Sequence, residues 1–370
     1  MSSNSKGIDK IFLGTVIILL ITGFIIFISA SMGILAKNSA QFASIVSKQI
    51  FFGIIFGSVA CFIFSKIDYK IFKRYAFPIF VGSLALTSLV FVPGLGTNLN
   101  TFATRWISLF GFTFQPVAVL NIGFIIYWAA WLTSAKEKVS TFKYGLMPMI
   151  VILSIIAFLL LNQPDTDSFL ILGATCVSMF MVAGGKKRHV AFLIFIGILC
   201  VTILAFTRPY VMSRIETYIH PNTNSQTSGY QIQQSLIAVG SGQIFGKGLG
   251  QSIQKYKFLP ESISDTIFAV LAEEGGFVGC VFVILIFLFF VFRGFKIAIR
   301  SPDTFGGLLV VGIVILTILQ SFTNIASVLG IIPFSGLPLA FFSQGGTAML
   351  MILVEIGIVL NVSKFGKDFK

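Results

Sequence analysis

Charge is scarce in this chain. Asp, Glu, Lys and Arg make up 11% of its 370 residues, while 56% are apolar. A soluble domain carries about 25% charged residues, so a chain this long lacks the polar surface to face water all round. That excludes a soluble enzyme, a disordered protein and a nucleic-acid binder with a basic patch in water. Histidine is scarcer still, with only His189 and His220. The loop charges place these two on opposite sides of a membrane, so no histidine-based metal centre is expected. Cys61, Cys176, Cys200 and Cys280 each stand alone in an apolar run. They lack metal or redox spacing and read as small buried hydrophobes. Internal repeats and low-complexity tracts are absent as well.

Long apolar runs are abundant, and the mean hydropathy is +0.96. A membrane helix needs about 20 mostly apolar residues. Ten segments approach that length: 11–36, 49–65, 75–92, 106–133, 145–161, 168–184, 190–206, 266–292, 305–329 and 348–363. The expected fold is all-α and polytopic, one integral membrane domain over residues 1–370 with about ten transmembrane helices. The first segment has too long a core for a cleavable signal peptide, and nine more follow it.

The net charge of +13 comes from 26 Lys and Arg against 13 Asp and Glu. Loops 1–10, 66–74, 134–144, 185–189, 293–304 and 364–370 hold eighteen of these cations and five of the acids. By the positive-inside rule these loops are cytoplasmic, as are both termini. The remaining eight cations and eight acids lie in the opposite loops or in the membrane and cancel. The excess therefore reports orientation, and the functional information lies in the balanced remainder.

Two of the opposite loops, which comprise 37–48, 93–105, 162–167, 207–265 and 330–347, stand out. Residues 207–265, between the expected seventh and eighth helices, form a polar, Gly-rich stretch, and loops of that length are usually functional. Residues 330–347, GIIPFSGLPLAFFSQGGT, are apolar but broken by Pro and Gly. They read as a re-entrant or broken segment lining a cavity, because irregular backbone at membrane depth must be shielded from lipid. The Gly-rich run 240–252 lacks the Walker pattern and is discounted as a nucleotide site.

Ionisable residues in or beside a membrane are costly and need a reason. Asp265 ends the long loop where the eighth helix begins, a position the helix dipole favours for a carboxylate. Asp265 or its neighbour Ser264 suits an N-cap, and Asp265 equally suits catalysis; one role does not exclude the other. Glu273 and Glu274 cannot share one helix face, so at least one points into the bundle, and pairing with Arg or Lys is the plain reading. Glu355, in the last helix, has no basic residue near it in sequence. Arg105, Arg208, Arg214, Lys247, Lys255 and Lys257 collect on the outer side. They suit anionic headgroups or a diphosphate; pairing with Glu216 and Glu261, or a merely solvated loop, is the alternative.

A series of short motifs then falls in a specific order over about residues 20–360. It runs from Ser29-Ala30-Ser31 through Asp68-Tyr69, Arg105-Trp106-Ile107, Gln115-Pro116 and Gln163-Pro164-Asp165 to the block 229–261, GYQIQQSLIAVGSGQIFGKGLGQSIQKYKFLPE. Asp265-x-Ile267-Phe268, Glu273-Glu274-x-Gly276, Gln320, Asn324 and the stretch Pro333 to Gly346 complete it. In these residues the chain resembles the FtsW/RodA, or SEDS, family, with the GLGQSIQK wording nearer to the FtsW branch. The resemblance implies ten transmembrane helices and a peptidoglycan glycosyltransferase of cell division or elongation. Such an enzyme polymerises lipid II, a disaccharide-pentapeptide on undecaprenyl diphosphate, at the outer leaflet of the bacterial cytoplasmic membrane. It implies a class B penicillin-binding transpeptidase and other divisome or elongasome proteins as partners.

The family's essential aspartate maps onto Asp265. Under this resemblance the six outer cations, or a divalent ion such as Mg or Mn, would meet the departing diphosphate. Gln163, Asp165, Glu261, Glu273, Glu274, Gln320, Asn324 and Ser343 would shape the cavity. A lipid II flippase, another transporter, or a non-catalytic scaffold for the transpeptidase are the alternatives. Departures from the family pattern are specific. Its Q-P-S-E with a Lys three residues on becomes Gln115-Pro116-Val117-Ala118 and Asn121, and its Q-P-D-L-G-T becomes Gln163-Pro164-Asp165-Thr166-Asp167-Ser168. Its His-Thr-Asp-Phe becomes Ile263-Ser264-Asp265-Thr266, and the Tyr of Ser-Tyr-Gly-Gly becomes Gln344. Loss of a buried Glu and Lys together reads as one ion pair removed as a unit, which is close to neutral, whereas losing one partner is costly.

Overall fold

The computed structural model describes residues 7–97, 104–109, 112–220 and 228–366. Twelve helices carry the argument: α1 Lys10–Leu35, α2 Ser39–Lys66, α3 Ala76–Phe91, α4 Val117–Ser140, α5 Phe142–Asn162, α6 Thr166–Val182, α7 Lys187–Thr207, α8 Pro209–Ile219, α9 Ser228–Ser241, α10 Ile267–Ile299, α11 Thr304–Val328 and α12 Gly346–Lys364. Length and apolarity qualify α1, α2, α4, α5, α7, α10, α11 and α12 to cross a membrane. The shorter apolar helices α3 and α6 fall at the other two expected positions.

The chain is an integral membrane protein, and its surface shows why. Phe192, Phe195, Ile198, Leu199 and Ile203 of α7 are exposed, a cost in water that disappears in lipid. Burial is concentrated in α11 and α12, where 67% and 61% of the apolar window is enclosed. Trp128, Phe124, Phe180, Phe268 and Phe287 are fully buried around them.

The Lys- and Arg-rich loops converge at one end of the bundle. Asp9 caps α1 by accepting the Phe12 N–H at 2.9 Å, and its carboxylate also pairs with Arg293 at 2.8 Å. The Asp9 N–H donates to Ser363 Oγ, so the start of α1 meets the end of α12. The Tyr69 N–H donates to Asn361 Oδ1 at 3.0 Å, and the Asn361 amide donates to the Ser65 carbonyl.

Three expectations are corrected. Residues 106–116 are not the start of a helix: Trp106–Leu109 (β2) pairs antiparallel with Gly96–Thr97 (β1) and with Phe112–Phe114 (β3). Pro116 then sets the helix start, because Pro lacks an N–H and is tolerated only at the first turn. The stretch 37–48 is helical from Ser39, capped by Asn38, which accepts the Gln41 N–H at 3.0 Å. It continues into a π-helical stretch, Gln49–Ile55. Residues 207–265 are not simply a loop, since they contain α8, α9 and the short turn Gln254–Lys257.

Residues 330–345, by contrast, form no helix, as their Pro and Gly content predicts. Leu337, Leu339, Phe341 and Phe342 are buried, so the irregular backbone lies inside the protein. Gly23 of α1 packs directly on it: a Cβ added there would lie 2.2 Å from the Phe341 carbonyl oxygen. Gly23→Ala should therefore lower stability by about 1–3 kcal/mol, the range for overpacking, read as an earlier thermal melt of the purified protein in detergent. An unchanged melt would mean that α1 does not seat against this segment.

Candidate active site

The site is built where the loop before α10 meets the 330–345 segment. Three successive carbonyls of that loop are bonded: Gln344 N–H donates to Ile263 O at 2.7 Å, Ser343 Oγ to Ser264 O at 2.6 Å, and the Asn324 amide to Asp265 O at 2.7 Å. The same Asn324 amide donates to Leu337 O at 2.7 Å. Gln320 holds Pro338 O at 3.1 Å, and Gln49 accepts the Gly345 N–H at 3.0 Å. The backbone under Asp265 is thus fixed from α11 and from the irregular segment.

The carboxylate of Asp265 is left free. The N-cap of α10 is Thr266, without a side-chain cap bond; its hydroxyl donates to Pro260 O. Ser264 donates to Glu261 Oε2 at 2.7 Å instead of capping. The capping role expected for Asp265 or Ser264 is therefore withdrawn, and among the described residues no donor bonds the Asp265 carboxylate. Burial pushes its pKa up to about 7, with Glu261 adding to the rise; Arg105 opposes it, Asp167 adds to it and Arg214 opposes it. A carboxylate poised there is suited to proton transfer near neutrality.

The charges around it come from α6, α8, Glu261 of its own loop and Arg105 just before β2. Arg214 Nη1 lies 2.7 and 2.9 Å from the two oxygens of Asp167, and Asp167 also accepts the Gly336 N–H at 3.3 Å. Arg105 donates to the carbonyls of Gln163 and Pro164 and lies 3.7 Å from Asp165. Gln163 in turn donates to Thr87 O at 3.0 Å. Asp165 caps α6 through the Ser168 N–H, and burial pushes its carboxyl up against the pull of Arg105.

Lys247 and Lys255 are both paired with acids, and the enclosure of Lys255 corrects its expected place facing a diphosphate. Lys247 pairs with Glu273 at 2.7 Å and Lys255 with Glu274 at 2.6 Å, both acids fully enclosed. Ser252 Oγ donates to Glu273 at 2.5 Å, and Ser29 Oγ to Glu274 at 2.7 Å. Lys255 is thereby enclosed and matched inside the bundle, while Lys247 stays partly exposed. The helix opens here: Gly276 takes φ 62°, and the carbonyls of Glu273 and Glu274 accept the N–H groups of Lys247 and Gly248. Gly246 must lack a side chain because a Cβ would lie 2.1 Å from the Glu274 carbonyl.

Arg208 is exposed at the start of α8 and has no ion pair among the described residues. The side chain of Lys257 lies outside the described residues. Glu355 is buried in α12 and bonds nothing among the described residues. Asp167, Gly336 and Gln49 were missed as site residues. Only Asp167 left a signal, as an acid where the family pattern has glycine. Among the described residues no three His, Cys, Asp or Glu side chains converge as a closed metal site would need.

The FtsW/RodA/SpoVE profile, described as cell cycle protein, matches residues 9–368. A Geobacter sp. (strain M18) protein named probable peptidoglycan glycosyltransferase FtsW is 36% identical over 358 residues, 97% of each chain. Stage V sporulation protein E of Bacillus subtilis (strain 168) is 33% identical over 367 residues, 99% of this chain and 100% of that one. Among solved structures, a chain reported under "structural coordination of polymerization and crosslinking by a peptidoglycan synthase complex" superposes with a TM-score of 0.79 at 24% identity, covering 96% of this chain and 97% of that one. The rod shape determining protein RodA of Thermus thermophilus gives 0.71 at 23% identity, over 98% of each. These two structures share the fold.

The buried ion pairs make a test. Glu274→Gln leaves Lys255 charged and unmatched, which should cost about 3–5 kcal/mol, whereas Lys255→Met with Glu274→Met should recover most of it. Melting of the purified variants reads both, and equal losses in the single and double variants would refute the pairing.

Proposed function

Since this chain belongs to the FtsW/RodA/SpoVE family, we propose that it is a peptidoglycan glycosyltransferase, polymerising lipid II on the outer leaflet of the bacterial cytoplasmic membrane. The observation that carries this reading is the unbonded carboxylate of Asp265, held on a fixed backbone within the field of two arginines. Its relatives' names support the activity, and the motif wording supports the division branch. The excess of Lys and Arg in one set of loops supports cytoplasmic termini. The fold shared with a chain of a complex that couples polymerization to crosslinking supports a class B penicillin-binding transpeptidase as partner.

In this reading the reaction is a direct displacement with Asp265 as the base. The 4-hydroxyl of the acceptor sugar attacks the anomeric carbon of a lipid-linked donor. A C–O bond forms there as the bond to the phosphate oxygen breaks, and the hydroxyl proton passes to Asp265. Direct displacement inverts the anomeric centre. The leaving diphosphate gains charge and is best met by preset cations. Arg214 uses only Nη1 on Asp167, leaving further guanidinium donors, and exposed Arg208 stands at the head of the same helix. Arg105 is turned to backbone carbonyls and acts on Asp265 through its charge.

Asp265→Ala should lower polymer formation from purified lipid II by roughly 10²–10⁴-fold, the usual worth of a general base, with the protein still folded. The base works only when ionised, so kcat/KM of the wild type should rise with pH through about 7 and be lost below it. Full activity in the variant, or an activity flat from pH 5 to 8, would sink the assignment. Leaflet exchange without polymer would point to transport, and partner binding with neither to a scaffold.

A further inference from the structure

One carboxylate of the site has no part in the chemistry described so far. Asp167 lies in the first turn of α6 with its side chain 15% exposed, where the family pattern has glycine. It touches two separate pieces of chain. Its oxygens take Arg214 from α8, and Oδ2 accepts the N–H of Gly336 from the irregular segment. The place a Cβ would occupy on Gly336 is 3.5 Å from Asp265 Oδ2. Asp167 and Asp265 therefore flank the same glycine.

A purely structural role is poorly supported. Asp165 already caps α6. The hydroxyls of Thr166 and Tyr210, 2.6 Å apart, already tie α6 to α8 one residue away. The Asp167–Arg214 pair, partly enclosed with Arg214 at 29%, adds a second link between helices the hydroxyls already join. Its consequence lies in where it puts charge.

Resting on the glycosyltransferase reading above, we propose that Asp167 is a positioning residue of the transfer site, holding Arg214 and the Gly336 backbone in place beside Asp265. Four charged groups act on Asp265 through their charge: Glu261 on its own loop, Arg105 just before β2, Asp167 on α6 and Arg214 on α8. Two are negative and two positive. Asp167 engages one nitrogen of Arg214 and leaves the others for the substrate, and its negative charge strengthens Asp265 as a base. Without Asp167 the positive charge of Arg214 is unopposed, Asp265 holds its proton less tightly, and a weaker base drives the transfer.

The test uses the purified full-length protein with Asp167→Asn, Asp167→Gly and Asp167→Glu. Two readouts are followed against pH: polymerisation of lipid II, and labelling of Asp265 by a carbodiimide, which reacts with the protonated carboxyl and is read by mass spectrometry without turnover. For Asn and Gly the labelling midpoint and the acid limb of kcat/KM should both move to lower pH. In both variants kcat should fall roughly 10-fold with KM little changed, within the range misplaced catalytic geometry costs. Asp167→Glu should keep both profiles near wild type. An unmoved labelling midpoint in folded Asn and Gly variants overturns the proposal. Loss of folding in every variant, Gly included, overturns it too, by making Asp167 structural. A wild type that makes no polymer, while its labelling midpoint still drops in Asp167→Asn, refutes the glycosyltransferase reading and leaves the coupling of the two carboxylates standing.

Discussion

One side-chain amide carries more of this site than any charge does. Asn324 of α11 donates to Asp265 O and Leu337 O, both at 2.7 Å. It thereby welds the loop before α10 to the irregular 330–345 segment. Irregular backbone at membrane depth has no water to satisfy it, and each orphaned group costs several kcal/mol. Gln320, Ser343, Gln344 and Gln49 answer the remaining carbonyls and N–H groups around the segment. With the backbone satisfied by neutral groups, the Asp265 carboxylate stays unbonded. Were it instead to cap α10, its lone pairs would be occupied and its proton affinity low.

The acids of the balanced remainder divide by environment. Glu273 and Glu274 are enclosed, each with a lysine and a serine hydroxyl. Enclosed charges survive only when paired and hydrogen-bonded, and this pairing pins the 247–255 stretch onto α1 and α10. Asp265 and Asp167 sit at a partly open end, where opposite charges stand near but do not saturate them. The first group stabilises the frame, and the second keeps chemical freedom. A carboxylate cannot serve both ends equally well, because the contacts that make it safe to bury also make it a poor base.

The membrane character, the helix positions and Asp265 were legible in the sequence because each depends on local pattern: apolar run length, loop charge, or a motif in order. The broken 330–345 segment was legible for the same reason, through Pro333, Pro338 and its glycines. The partners of Lys247 and Lys255 were not. Nineteen residues separate Lys255 from Glu274 and 226 separate it from Ser29. Only the opening of α10 at Gly276 brings the Gly-rich stretch under the helix. Strands Trp106–Leu109 and Phe112–Phe114 were hidden because an apolar β-ribbon and a buried helix start read alike over so short a run. Asp167 was visible only as a departure, since its meaning depends on Arg214 and Gly336, which arrive from two distant parts of the chain.

A second departure differs in kind. The family pattern's Glu and Lys in α4 are Ala118 and Asn121 here, and the carboxamide oxygen of Asn121 is buried without a partner among the described residues. Removing an ion pair as a unit is nearly neutral for stability, so the fold can tolerate it. Asp167, absent from the pattern, instead adds an acid, and it comes already paired with Arg214. It stands across Gly336 from Asp265, at a partly open end where water screens charge and desolvation is cheaper. One departure removes charge from the bundle as a pair, and the other brings in a single acid with its partner at hand. Asp265 keeps a carboxylate with affinity for a proton near neutrality.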